Sequence, residues 1–294
     1  IYKFPSPSEI GAIKEWKPDR EALANEVVSN DYIAIIQMPD YAQWLGWNGS
    51  VENSTDFIWN NGLRFLRYYQ LNAVKHLQEA VRDGKDRFLF EMATGTGKTL
   101  TSAAVIKLFL RSKNARRVLF LVDRLELEDQ AFKDFTNYLK PDYTTFIYKQ
   151  HKSDWRKADI VVTTIQSLLF NNKYREFFSP SDFDLLISDE SHRSVSGNSR
   201  AVFEYFSGYK LGLTATPKRD VNGDTYKYFG EPVSVYSLKE GINDGFLTPF
   251  RVKQIQTNID EYQFTSDDDV ISGMVEEGKE YTESDFNRIV FFSY

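Results

Sequence analysis

The sequence predicts an α/β fold, a doubly wound and mostly parallel sheet with helices on both faces. Three observations predict it. Apolar runs at 88–92, 117–122, 159–163, 184–188 and 209–213 have the length and uniform character of strands buried on both sides. Segments of helical spacing alternate with them, at 98–110 and at 124–139, where Leu125, Phe132, Phe135 and Leu139 share one face. Polar residues able to do chemistry gather just after the runs, where an open parallel sheet binds ligands beyond the carboxyl ends of its strands.

Residues 1–62 read as a linker and accessory segment. Phe4-Pro5-Ser6-Pro7-Ser8 is extended, Pro18-Asp19-Arg20 starts a helix through Val28, and Tyr32–Met38 is an apolar run. Trp44, Trp47 and Trp59 lie among Gly, Asn and Ser, either packed beneath a surface loop or free to stack on bases. Residues 63–257 form the lobe proper. It opens with a helix marked by Leu71, Val74, Leu77 and Val81 and stopped by Asp83-Gly84. Residues 258–294 are an acidic connector, with ten carboxylates against Lys279 and Arg288. The net charge of −6 therefore belongs to that tail, and the rest is nearly neutral. Contact with nucleic acid would have to run along a local positive track.

Composition narrows the chemistry. Across 294 residues, 41% hydrophobic and 27% charged, no apolar run is long enough to span a bilayer, so no membrane partner is expected. The absence of cysteine excludes disulfides and thiolate metal sites and fits the cytoplasm. His76, His151 and His192 are too scattered to form a metal cluster, so any metal should be Mg²⁺ held by oxygen.

The first apolar run leads into Met92-Ala93-Thr94-Gly95-Thr96-Gly97-Lys98-Thr99, the layout of a phosphate-binding loop. Glycines allow successive backbone N–H groups to turn inward as a nest for phosphate oxygens, and the helix that follows adds its positive end. Lys98 reaches outer phosphates and the Thr99 hydroxyl ligates Mg²⁺. The pattern G-x-x-x-x-G-K-[ST] wants glycine at position 92, where this chain has Met92, a departure seen in helicase-like motors.

Three further motifs fall at element ends. Asp184–Ser188 delivers Asp189-Glu190-Ser191-His192; Asp189 can hold Mg²⁺ through water, and Glu190 can orient and deprotonate an attacking water. Leu213-Thr214-Ala215-Thr216-Pro217 offers two hydroxyls to the carboxylate pair. Arg67-Tyr68-Tyr69-Gln70 supplies an amide that can read the donor–acceptor edge of adenine, favouring ATP. Each alone also fits a solvated strand end, a turn or an exposed helix start.

Their order resembles the first, RecA-like motor lobe of superfamily 2 helicases. The resemblance implies ATP and Mg²⁺ as cofactors, cofactor contacts from Arg67, Gln70 and Thr94–Thr99, and a coupling role for His192, Thr214 and Thr216. By the same resemblance Arg124, after Val122-Asp123, touches a nucleic-acid phosphate, as do Thr163, Thr164 and Gln166. Lys149, His151, Lys152, Arg156 and Lys157 either extend that track or form a solvated loop.

A closer similarity is to the motor subunit of type I restriction enzymes. Arg-Tyr-Tyr-Gln-Leu-Asn-Ala-Val, Arg117–Arg124, Asp-Glu-Ser-His-Arg-Ser, Thr225–Pro232 and Tyr236–Leu247 carry it, over roughly residues 64–290. The similarity implies ATP-driven pulling of double-stranded DNA, without sequence reading, beside methylation and specificity subunits. Other superfamily 2 translocases or repair helicases, or a docking module for DNA or partners with little ATPase, are the alternatives. Glu15-Trp16-Lys17 and Asp83-Gly84-Lys85 match a nuclease only in short form, so no nuclease is expected in this chain. No Q-x-x-G-R-x-x-R motif follows Pro217, so the fragment by itself is expected to hydrolyse ATP weakly.

Overall fold

The computed structural model describes residues 18–150, 154–195, 197–220 and 223–249. The segment 1–17, His151 and Lys152, and the acidic connector at 258–294 lie outside them. The chain divides into a compact unit, Ile1–Leu247, and a second, Thr248–Tyr294, of which only Thr248 and Pro249 are described.

The strands are β1 (Arg87–Met92), β2 (Val118–Val122), β3 (Thr145–Ile147), β4 (Ile160–Thr164), β5 (Leu185–Ser188) and β6 (Tyr209–Thr214). After them come a short antiparallel pair, β7 (Arg219–Asp220) with β8 (Gly223–Asp224), and the edge strand β9 (Ser234–Tyr236). Seven of these form one sheet in the order β3-β4-β2-β5-β6-β1-β9, parallel at every pairing. All five apolar runs are strands of it. β3 and β9, three residues each, are too short to carry a periodicity.

Strand side chains alternate between two cores, as the pleat requires. Phe88, Phe90, Phe120 and Ile187 pack with the Tyr68–Arg82, Lys98–Arg111 and Leu125–Leu139 helices. Leu89, Leu119, Leu121 and Leu186 pack with Leu168, Val202 and Phe203 on the other face. Each such side chain contributes about 1.5–3 kcal/mol by leaving water. The Lys98–Arg111 helix is buried at every position from Thr101 to Phe109, so the phosphate loop is anchored to the centre of the unit.

The Leu125–Leu139 helix departs from its expected face. Phe135 and Leu139 are buried, but Leu125 is 54% exposed. Glu128 takes the inward place instead, accepting a hydrogen bond from Thr164 N at 2.7 Å. A paired carboxylate is what burial there demands.

Residues 18–62 share the first core, through Leu23, Val28, Tyr32, Ile33 and Ile36. The helix expected from Pro18 is realised as Arg20–Asn25, capped by Asp19, which accepts from Ala22 N at 2.9 Å. Of the three tryptophans, Trp47 packs against Phe65 (5.7 Å) while Trp44 and Trp59 stay 58% and 84% exposed. Members of the basic cluster at 149–157 are paired: Lys149 with Glu128 at 3.7 Å, Arg156 with Asp182 at 4.0 Å, Lys157 with Asp154 at 2.6 Å. No helix among the described residues is long and apolar enough to cross a membrane.

Candidate functional site

The site forms at the carboxyl edge because strand order and sequence order diverge there. β5 and β6 lie between β2 and β1, so the turns after β1, β5 and β6 become neighbours. The register is specific: Glu91 is opposite Thr214, and Ser188 is opposite Gly212.

Met92 explains its departure from the glycine pattern. It is the last residue of β1, paired with Tyr236 and 1% exposed, and belongs to the core rather than to the loop. The loop begins one residue later, with Ala93 N donating to Tyr236 O at 3.0 Å. Thr96 closes the turn, its hydroxyl donating to Ala93 O at 2.6 Å. That side chain is 1% exposed and serves the loop itself, whereas Thr94 and Gly95 are exposed. Gly95 and Gly97 hold φ of +83° and +79°, conformations that strain any L side chain. At Gly97 a Cβ would also lie 2.5 Å from Gln70 Nε2. Thr99 is half-buried in the first helical turn.

Gln70 is only 2% exposed. Its Nε2 donates to Thr96 O at 3.0 Å and Gly97 O at 3.3 Å, while its Oε1 accepts from Arg67 N at 2.9 Å. In this conformation the amide, expected to face adenine, binds the phosphate loop to the start of the Tyr68–Arg82 helix. Tyr69 adds a second tie, its hydroxyl donating to Thr96 O at 2.8 Å. Arg67, Gln70, Gly95, Thr96 and Gly97 line one cavity of about 880 Å³ with Trp59, Tyr68 and Phe246. Arg67 stacks on Phe246 at 4.3 Å.

On the acidic side, Asp189 N donates to Leu121 O at 3.0 Å and Asp189 Oδ1 accepts from Glu190 N at 3.1 Å. Glu190 sits at φ 50°, ψ 48°, a left-handed conformation rare for a non-glycine residue. Strain of this kind clusters at functional sites. It turns the Glu190 carboxylate to face Lys98 Nζ at 3.9 Å with one oxygen and His192 Nδ1 at 3.4 Å with the other. His192 Nδ1 also meets Thr214 Oγ1 at 2.8 Å, and Thr216 N donates to that hydroxyl at 3.1 Å. One polar chain thus runs from the phosphate loop through the carboxylate pair to the threonine motif.

Burial pushes the Asp189 carboxyl above its ordinary range, with Lys98 opposing and Glu190 adding to the rise. Burial likewise lowers His192, against the pull of Glu190, which favours a neutral imidazole. The Asp189 carboxylate itself is half-buried. Among the described residues no group of three or more His, Cys, Asp or Glu could hold a metal. Asp189 and Thr99 offer oxygen donors, the chemistry that a Mg²⁺ ion beside phosphate oxygens would need.

Glu190, His192 and Thr216 line a second cavity of about 540 Å³ with Arg124 and Arg193. Arg124 and Gln166 line a third, about 650 Å³, with Thr164. Thr163 is fully buried in β4, its hydroxyl without a protein partner, and the Thr164 hydroxyl caps the Ile165–Leu169 helix through Ser167 N at 3.2 Å. The surface there is presented by Arg124 and Gln166 rather than by the two threonines. Sequence reasoning missed the clamp behind the loop: Tyr69 stacks on Tyr236 at 3.7 Å, and the Tyr68 and Tyr236 hydroxyls both donate to Asp244. Tyr68 and Asp244 are 176 residues apart, and no local pattern links them.

Fold and site together define the class, a RecA-like lobe of the P-loop NTPases. Residues 64–219 match the family described as the type III restriction enzyme res subunit, and the chain belongs to that family. It is 34% identical over 286 residues to the endonuclease subunit of the type I restriction enzyme EcoAI of Escherichia coli, covering 91% of this chain and 34% of that protein. To the EcoKI endonuclease subunit of Escherichia coli strain K12 it is 30% identical over 263 residues, covering 76% of this chain and 22% of the relative. A solved fragment described as an HsdR subunit of a type I restriction enzyme from Vibrio vulnificus YJ016 shares 35% identity, with TM-score 0.48, over 61% of this chain and 32% of that one. The chain spans about a third or less of the length of these curated relatives.

Proposed function

We propose that this chain is the ATP-binding motor lobe of an ATP-dependent double-stranded DNA translocase, part of the DNA-pulling subunit of a type I restriction enzyme. The polar chain Lys98–Glu190–His192–Thr214–Thr216 carries the proposal, because it joins a phosphate-binding element to a base and to a strand end. The names of the type I relatives support the restriction setting. Methylation and specificity subunits are the partners this reading brings with it.

Lys98 holds the outer phosphates, its ammonium already placed over the acidic pair. Glu190 orients the attacking water and takes its proton. His192, kept neutral by burial, relays the position of the Glu190 carboxylate to Thr214. Thr99 and Asp189 would hold Mg²⁺, which when bound would neutralise charge on the nucleotide phosphates. Arg124 and Gln166 track the nucleic-acid backbone, which positions without reading sequence.

Lys98→Ala in the full-length protein tests the reading. ATPase and translocation are expected to fall about 100-fold or more, the scale for removing one preorganised charge contact. Unchanged ATPase and translocation would refute the motor assignment.

A further inference from the structure

The groove between Arg124 and Lys173 has a property the phosphate-tracking role does not use. Three cations line it, Arg124, Lys149 and Lys173. Its one acidic lining residue, Asp123, is engaged by Arg193 at 2.9 Å and Arg124 at 3.8 Å. Lys149 is paired at 3.7 Å with the buried Glu128, whose other oxygen accepts from Thr164 N, so Arg124 and Lys173 carry most of the positive charge there. The groove therefore presents positive charge and suits an anionic ligand.

An aromatic ring stands at its margin. Phe170 is 63% exposed, and the Lys173 ammonium lies 4.8 Å from the ring centre. The next two residues, Asn171 and Asn172, are both left-handed, with φ of 53° and 54°. Asparagine tolerates that conformation better than most residues, yet two in succession are uncommon. The double turn separates the Ile165–Leu169 helix from the Lys173–Phe177 helix, with the exposed Phe170 just before it.

We infer that this margin is a stacking platform for an unpaired base: phosphates of one strand lie along Arg124, Lys149 and Lys173, and the base of that strand stacks on Phe170. The inference rests on reading the groove as a nucleic-acid track. An exposed aromatic beside a cationic groove is the arrangement that binds single strands without sequence preference, since every base has a flat face. A continuous duplex keeps its bases stacked on one another and offers Phe170 no such face.

Anisotropy titrations of the full-length protein, with a continuous duplex and with a duplex of equal length carrying a central single-stranded gap, test this. Phe170→Ala is expected to weaken binding to the gapped DNA about tenfold, the scale of one stacked base, and to leave the continuous duplex within about twofold. Phe170→Trp is expected to restore the gapped complex. Equal loss on both DNAs, or no loss on either, overturns the platform. Lys173→Gln should reduce the slope of log Kd against log salt by about 0.7–0.9, one phosphate contact. If Arg124→Ala and Lys173→Gln both leave both DNAs bound as in the parent, the track itself fails, independently of Phe170. Phe170 is exposed, so its variants test contact rather than folding.

Discussion

One helix carries two lysines with opposite surroundings, and the contrast separates the part of the molecule that acts from the part that holds. Lys98 opens the Lys98–Arg111 helix at the carboxyl edge, 3.9 Å from a partly exposed Glu190. Lys107, on the same helix, is 1% exposed; its ammonium donates to Tyr32 O and lies 3.9 Å from the Tyr32 ring centre. Lys107 is one of several side-chain donors that bond backbone carbonyls of residues 18–32. Gln78 donates to Leu23 O at 2.8 Å and Glu26 O at 2.9 Å, and Asn114 donates to Asp19 O at 2.6 Å. Around Lys98 the groups face each other at longer range, with Glu190 left-handed. The first set of hydrogen bonds ties the N-terminal segment to the core, whereas the Lys98–Glu190 pair is longer and partly exposed.

The largest expected effect is at the acting end. Glu190→Gln should lower kcat about 100-fold or more while nucleotide affinity, measured by fluorescence titration, changes little. Equal loss of binding and turnover would mean that Glu190 is structural.

The loop contact comes next. Gly97→Ala places a Cβ against Gln70 at a φ of +79°, and should cost about 1–3 kcal/mol in denaturant unfolding as well as weakening nucleotide binding. Combining it with Gln70→Ala should recover the steric part of the loss; strict additivity would show that the backbone conformation alone is responsible.

At the holding end, Lys107→Ala should destabilise by about 2–4 kcal/mol through lost packing of the stem, whereas Lys107→Met should stay within about 1.5 kcal/mol of the parent. A pH test sharpens this. Burial lowers the Lys107 ammonium from 10.5 to about 8. Between those values the unfolded chain binds more protons than the folded one, so unfolding free energy from this group rises with pH. Below about 8 both states are protonated and its slope vanishes. Stability measured from pH 8 to 9.5 should therefore climb in the parent relative to Lys107→Met. Identical pH slopes would show that the lysine titrates normally.

The smallest effect is at Gln78, where alanine should cost about 1–2 kcal/mol by leaving the Leu23 and Glu26 carbonyls unmatched. A loss below about 0.3 kcal/mol would mean that water replaces both bonds.

Much of the fold was legible because buried parallel strands announce themselves locally. β1, β2, β4, β5 and β6 are each continuous apolar runs, and the helix packed on β1 begins at a recognisable loop. β3 and β9 were not legible, since three residues cannot carry a period. Leu125 misled because Glu128, a charged residue, took the buried place. In the site, Lys98, Glu190, His192, Thr214 and Thr216 were readable as motif residues and do come together. Gln70 was readable as an amide near the nucleotide, but its engagement with Thr96 O and Gly97 O was not.

The sequence by itself determined the element types, the chemical character of the three edge motifs and their order along the chain, because these depend on near neighbours and fixed spacings. Only the tertiary structure decided that β5 and β6 lie between β2 and β1, that Glu190 turns left-handed toward Lys98, and that Tyr68 and Tyr236 converge on Asp244. Those outcomes depend on which distant segments share a core, and that choice is made by collective burial rather than by any local run of residues.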